Sequence, residues 1–239
     1  MPQRSLVPGF LAAGPPGGAL PFPAFPAAAQ QVVRVALRHA WRGVQAQCDP
    51  GVLEVATEPQ ITGVLQLVLN TMLDDESEPV PGFTSNYFET VERGPETLNY
   101  DGTHLEKRPD LRFTLQGRIP QVHDRTHYGL FVECKLVDAT HPLSRYGNDG
   151  ILRFVKGEYA WAMTHGLMLG YIRGTAPMLS ELVAFLGAKS AVYHVTSTAT
   201  DAIEGEGLVR SSHTRSWQYP TTSTSPGPIE LVHIWLSMN

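Results

Sequence analysis

An α/β protein, with a central mixed β-sheet flanked by helices, is what this sequence predicts, on three observations. Residues 130–137 form a nearly unbroken apolar run, the pattern of a strand buried on both faces. Two other stretches alternate. Leu111, Phe113 and Leu115 stand against Arg112, Thr114 and Gln116, and Ile229, Leu231, His233 and Trp235 against Glu230, Val232, Ile234 and Leu236, the period-two signature of strands. Helical patterns precede these strands and lie between them, and the order αα-ββ(β)-α-β implies helices packed on a mixed sheet.

Residues 1–29 are rich in Pro, Gly and Ala and read as an extended or disordered arm suited to docking another subunit, leaving residues 30–239 as the folded domain. Over residues 30–47, Val33, Leu37, Ala40, Trp41 and Val44 recur at helical core spacing. A second, more apolar helix spans residues 58–73: Thr57 is a natural N-cap, Gln60 completes a capping box and Pro59 suits the first turn. Residues 74–81 are an acidic, proline-punctuated loop. Residues 83–91 and 98–100 suggest sheet edges, with a turn around Arg93-Gly94-Pro95. Strands 111–116 and 128–137 follow, then a helix over 150–164, capped by Asn148 or Asp149, with Ile151, Phe154, Val155, Tyr159 and Ala162 on its buried face. A strand over 167–172, a short helix capped by Ser180 and ending at Gly187, and a strand near 192–196 come next. Residues 198–206 and 219–228 read as loops, and 229–236 is the last strand.

A chain of 239 residues can bury a sizeable core in one domain with a small extension. No apolar run approaches the roughly 20 residues of a membrane helix, so no membrane partner is expected. The start does not read as a signal peptide, since Arg4 is its single charge and prolines break each apolar stretch. Only Cys48 and Cys134 are present, without metal-ligand spacing, which argues against a disulfide framework or a zinc site and suits a reducing cytoplasm. No phosphate-binding glycine loop, dinucleotide fingerprint or His-Glu-x-x-His occurs.

The residues that carry chemistry are Asp110, in Arg-Pro-Asp-Leu-Arg-Phe, and Glu133 and Lys135, in Phe-Val-Glu-Cys-Lys-Leu. Alternation puts Glu133 and Lys135 on one strand face, roughly 7 Å apart along the chain, and turns Val132, Cys134 and Leu136 the other way. Two ionisable groups in so apolar a strand are costly unless they pair with each other or hold a metal. Asp110, opening the neighbouring strand, can complete the cluster. A structural ion-pair network is the competing reading. The nine histidines are scattered, and His123 and His127 sit in the loop before the Glu-x-Lys strand.

This Pro-Asp followed by Glu-x-Lys resembles the PD-(D/E)xK, or restriction-endonuclease-like, nucleases. The resemblance implies a restriction-endonuclease-like α/β fold and an Mg2+- or Mn2+-dependent hydrolysis of phosphodiester bonds. Asp110, Glu133 and the Cys134 carbonyl would be metal ligands, and Lys135 would orient water or stabilise charge. The helical glutamate that the family adds falls on Glu54 or Glu58, of which Glu58 is preferred, although a glutamate there also complements the helix dipole. Arg153 and Lys156, after the Glu-x-Lys strand, become candidates for phosphate contact, or else a solvated basic face. His213 and Arg215 share a strand face and are weaker candidates of the same kind.

The formal charge of −5 runs against autonomous nucleic-acid binding unless positive charge is concentrated locally. Lys107, Arg108, Arg112, Arg118, Arg125, Arg145, Arg153 and Lys156 flank the two motif strands and form a candidate cluster. Two functions follow from the resemblance: a nuclease acting on DNA ahead of RNA, in a setting such as bacterial defence against foreign DNA, or a catalytically silent or partner-activated subunit of the same fold. A protein partner or a second copy of the chain fits either.

Overall fold

In the computed structural model, residues 20–104, 106–174, 179–203 and 206–238 are described. The strands, in chain order, are β1 (Glu92–Arg93), β2 (Leu111–Phe113), β3 (Leu130–Val137), β4 (His165–Ile172), β5 (Val195–Ile203), β6 (Glu206–His213) and β7 (Ile229–Ser237). They join in one seven-stranded mixed sheet, ordered β1-β2-β3-β4-β7-β6-β5. The central pairs β3–β4 and β4–β7 are parallel and the outer pairs antiparallel. Every residue of β3 is buried, as its apolar run requires of a central strand covered on both faces.

Helices α1 (Ala27–Gln47), α2 (Pro50–Val55) and α3 (Glu58–Leu73) come first. The α1 and α3 pair covers one face, where the Trp41 ring stacks on Tyr171 at 5.6 Å and Thr62 Oγ1 lies 3.0 Å from the Tyr171 hydroxyl. Helix α3 has the expected limits and the expected capping box between Thr57 and Gln60. The crossover from β3 to β4 runs through α4 (Leu143–Tyr146), a π turn over Gly147–Ile151 and α5 (Leu152–Val155). It packs on the opposite face, with Tyr146 against the rings of His233 and Trp235. The chain is therefore α/β, with helices on both faces of a mixed sheet. Helices α6 (Leu179–Ala188) and α7 (Ser190–Tyr193) lead into β5.

Several expectations shift. The arm expected over 1–29 gives up its end to the folded body: Phe22 and Phe25 are buried, and the Phe22 amide donates to the Ala162 carbonyl at 2.8 Å. Residues 1–19 lie outside the described residues. Helix α2 is additional, capped by Asp49, which accepts from the Gly51 amide, with Pro50 in the first turn. The helix expected over 150–164 starts earlier and stops at Val155, because Gly157 turns the chain at φ +68°. Asn148 and Asp149 therefore lie inside the π turn rather than capping, and Tyr159 and Ala162 reach the core from the turn beyond. Ser180 lies within α6. Residues 198–206, expected to be a loop, belong largely to the β5–β6 hairpin. The strand over 111–116 keeps only its first half; of the edges expected at 83–91 and 98–100, the isolated bridge Phe88–Leu115 falls within the first, while β1 lies just beyond it, at the start of the expected turn, and the bridge Thr97–Lys107 just before the second.

The π turn is packed too closely to accept side chains equally. A Cβ on Gly147 would stand 2.4 Å from Tyr193 Cζ, in a ring held at the core, whereas one on Gly150 would meet the flexible end of Met168. Gly147→Ala is therefore expected to lose about 1–3 kcal/mol in denaturant unfolding, and Gly150→Ala less. Equal losses would remove this account of the turn.

Candidate active site

The site exists because β2 parts from β3. Their pairing runs from Phe113–Leu130 to Leu111–Val132 and stops there, while β3 continues to Val137. Beyond that point the outward amides of β3 have no strand partner, and buried amides must find acceptors. Asp110, the residue before β2, accepts from the Cys134 amide through Oδ2 at 2.7 Å. Glu58, in the first turn of α3, accepts from the Leu136 amide through Oε2 at 2.9 Å. Two carboxylates thus replace the missing strand and arrive beside Glu133 and Lys135.

Four oxygens surround the Lys135 ammonium: the Cys134 carbonyl at 2.6 Å, Glu133 Oε1 at 2.7 Å, Glu58 Oε1 at 3.0 Å and Asp110 Oδ2 at 3.7 Å. Arg153 Nη1 adds a second cation to Glu133 Oε1 at 3.0 Å, and the Tyr159 hydroxyl donates to Glu133 Oε2. Burial, and then the Asp110 charge, push the Glu133 carboxyl up to about 7, against the pull of Lys135 and Arg153. Burial also raises Asp110. Burial alone would lower Lys135, but the Glu133, Asp110 and Glu58 carboxylates outweigh it and hold the ammonium charged. Three carboxylates against two cations leave the cluster one charge negative when all are ionised.

Among the described residues no three His, Cys, Asp or Glu side chains form a ready-made metal cluster. The donor set still fits a hard divalent cation: two carboxylates and a main-chain carbonyl, all oxygen, converge on a point already held by positive charge. Asp110, Glu133 and the Cys134 carbonyl are the atoms that would hold it. The Cys134 thiol takes no part, being fully buried and pushed far up by that burial.

The structure brings together Asp110, Glu133, Lys135, Glu58 and Arg153, and leaves the other candidates outside. Glu54 is exposed on α2. Lys156 is exposed at the end of α5 and does not join the cluster. His213 and Arg215, expected to reach a phosphate, do not. Arg215 is buried and donates to the carbonyls of Trp161, Pro226 and Gly227, where burial lowers it to about 10. His213 lies in β6, three strands from β3 in the sheet order, or about 14 Å at the usual strand spacing. It belongs to a buried chain of hydrogen bonds: Tyr146 hydroxyl to His233 Nδ1 (2.9 Å), His233 Nε2 to Ser211 Oγ (2.7 Å), Ser211 Oγ to His213 Nε2 (2.7 Å), and His213 Nδ1 to the Tyr193 carbonyl (2.7 Å). His127 is likewise buried, against the Trp161 ring at 4.5 Å.

The candidate basic cluster is largely neutralised. Arg125 pairs with Glu89, Arg112 with Glu92, Arg108 with Glu96, Lys107 with Glu158 and Arg145 with Asp149. Sequence reasoning missed Tyr159 as a partner of Glu133, because its helical spacing marked it for the core. It missed Glu158 as well, which links Lys107 and Arg153. No helix among the described residues is long and apolar enough to cross a membrane. Nothing matches the chain in comparisons with protein-family models, curated proteins and solved structures.

Proposed function

We propose that the chain is a metal-dependent nuclease of restriction-endonuclease-like fold, hydrolysing phosphodiester bonds in DNA ahead of RNA. The observation that carries this reading is the convergence of Asp110, Glu133, the Cys134 carbonyl and Glu58 on the Lys135 ammonium where β2 and β3 part. A divalent cation held there supplies Lewis acidity toward a phosphoryl oxygen and acidifies a water. Asp110 and Glu133 would provide the anionic oxygens. Lys135, once released from part of its cage, donates to the attacking water or to the phosphate. Glu58 ties the site to α3 and shares in holding Lys135. Arg153, half-buried beside Glu133, is placed to meet a phosphate oxygen.

The test is a cleavage assay on plasmid, linear and single-stranded DNA and RNA, with MgCl2 or MnCl2 against EDTA, beside Glu133→Ala. Cutting is expected to need the metal and to fall at least about a hundredfold in the variant, with the fold retained because Lys135 keeps Glu58 and Asp110 as partners. Cutting that survives EDTA or the substitution would remove the assignment. A second reading has its own observation: with five of the eight flanking cations paired to carboxylates outside the site, the surface offers little free positive charge to a phosphate backbone. A subunit of the same fold that depends on a partner for nucleic-acid binding would show cleavage only in the complex.

A further inference from the structure

We propose that Tyr159 sets which cation the site accepts, by restricting Glu133 to one ligating oxygen and so favouring magnesium or manganese over calcium. The inference rests on the metal-dependent reading above. The two oxygens of Glu133 have different surroundings. Oε1 faces the cluster, 2.7 Å from Lys135 Nζ and 3.0 Å from Arg153 Nη1. Oε2 is turned away and takes the hydroxyl proton of Tyr159.

The tyrosine cannot swing aside. It is buried, its ring packs edge-on to Phe154 at 5.1 Å, and it leaves the end of α5 through a fixed turn in which Gly157 and Ala160 both have positive φ. Glu133 is fixed as well, on the wholly buried β3, where it pairs with Met168 of β4. Calcium takes six to eight oxygens and commonly grips a carboxylate through both, whereas magnesium demands six near-octahedral oxygens and takes one from each carboxylate. A glutamate with Oε2 committed to a phenol suits the second geometry. Asp110 is restricted in the same manner, because its Oδ2 already accepts from the Cys134 amide. Glu58 spends Oε2 on the Leu136 amide. Each of the three carboxylates around Lys135 therefore has an oxygen occupied by a neutral donor, and Tyr159 is the only side chain among those three donors, so it is the one that can be changed.

Metal-free protein titrated with MnCl2 and with CaCl2 in a calorimeter gives the ratio of the two affinities. Tyr159→Phe keeps the ring and frees Oε2, and the ratio is expected to move toward calcium by about tenfold. Arg153→Gln, which strips a partner from Oε1 instead, is expected to leave the ratio in place. A ratio unmoved by Tyr159→Phe, or moved toward manganese, overturns the proposal. If manganese still binds and cleavage still depends on it, the nuclease reading survives that result. Manganese binding to neither protein would remove both. The unaltered protein gives an independent reading: its infrared difference spectrum on adding MnCl2 is expected to show the wide band separation of a carboxylate bound through one oxygen. The narrow separation of a chelating carboxylate would overturn the proposal without any variant.

Discussion

Ser211→Ala is expected to destabilise the protein by about 2–6 kcal/mol, a fall in Tm of roughly 5–20 °C for a chain of this size. The reasoning is a proton count along the buried chain. The Tyr193 carbonyl can only accept, so His213 Nδ1 carries a hydrogen. Burial lowers His213 to about 4, so its ring is neutral near pH 7 and Nε2 is a bare acceptor. Ser211 must donate to it and must accept from His233 Nε2, which leaves His233 Nδ1 to accept from Tyr146. Each of the four bonds thus has a fixed direction, and Ser211 is the only group in the chain that both gives and takes between two histidines. Alanine strands one acceptor and one donor in a dry interior, at about 1–3 kcal/mol each. Ser212→Ala, on the other face of β6, is expected to stay within about 0.5 kcal/mol. Equal small losses for the two serines in denaturant unfolding would show that the chain does not stabilise the sheet.

Acid is expected to unfold the protein early. His127, His213 and His233 are lowered by burial to about 4, about 4 and about 3. Between pH 6.5 and 4.5 the unfolded chain binds a proton at each while the native protein does not, so these groups stabilise above 6.5 and that contribution is lost as pH falls. Glu133 runs the other way: raised to about 7, it is protonated in the native state while still ionised in the unfolded chain, which favours folding as pH falls toward 4.5. His165 is lowered and adds to the loss, and Asp110 is raised and adds to the gain. Three protons against one leave two, or about 2.7 kcal/mol per pH unit. The two units between pH 6.5 and 4.5 therefore remove about 5 kcal/mol, which matches the lower end of native stabilities of about 5–15 kcal/mol. Guanidinium unfolding at pH 7, 6 and 5 reads the slope directly, and a flat profile would contradict the burial of these rings.

The cluster of Asp110, Glu133, Lys135 and Glu58 was legible in the sequence because strand alternation is a local rule. Glu133 and Lys135 share a face by period, and costly charges in an apolar strand demand partners. Thr57, Pro59 and Gln60 fixed the start of α3, but Glu58 was preferred over Glu54 only through the resemblance, and the capping pattern by itself offered Glu58 a role at the helix dipole. The errors come where a rule needed the third dimension. Spacing put His213 and Arg215 on a common face but gave no account of what covers it, which is Ser211, the Tyr193 carbonyl and the carbonyls of Trp161, Pro226 and Gly227. Thr196, Thr198 and Thr200 are β-branched strand formers, yet the small and acidic residues around them made the β5–β6 hairpin look like a loop. Counting cations along the chain suggested a basic surface, while the acidic residues that neutralise it come mostly from the segment before β2.

The parting of β2 from β3 also bears on when the site comes into being. Glu58 and Lys135 are separated by 77 positions, Asp110 and Cys134 by 24, and Glu133 and Arg153 by 20. Contacts between such distant positions form only after long stretches of chain have closed, so they come late on the folding route. The strand that carries Glu133 pairs with β4 residues 35 positions downstream, and β4 pairs in turn with β7 residues 65 positions later, so the centre of the sheet waits for β7. A polypeptide still emerging during synthesis therefore holds Asp110, Glu133 and Lys135 without the cluster they form in the finished protein, and the cluster arrives with the completed sheet.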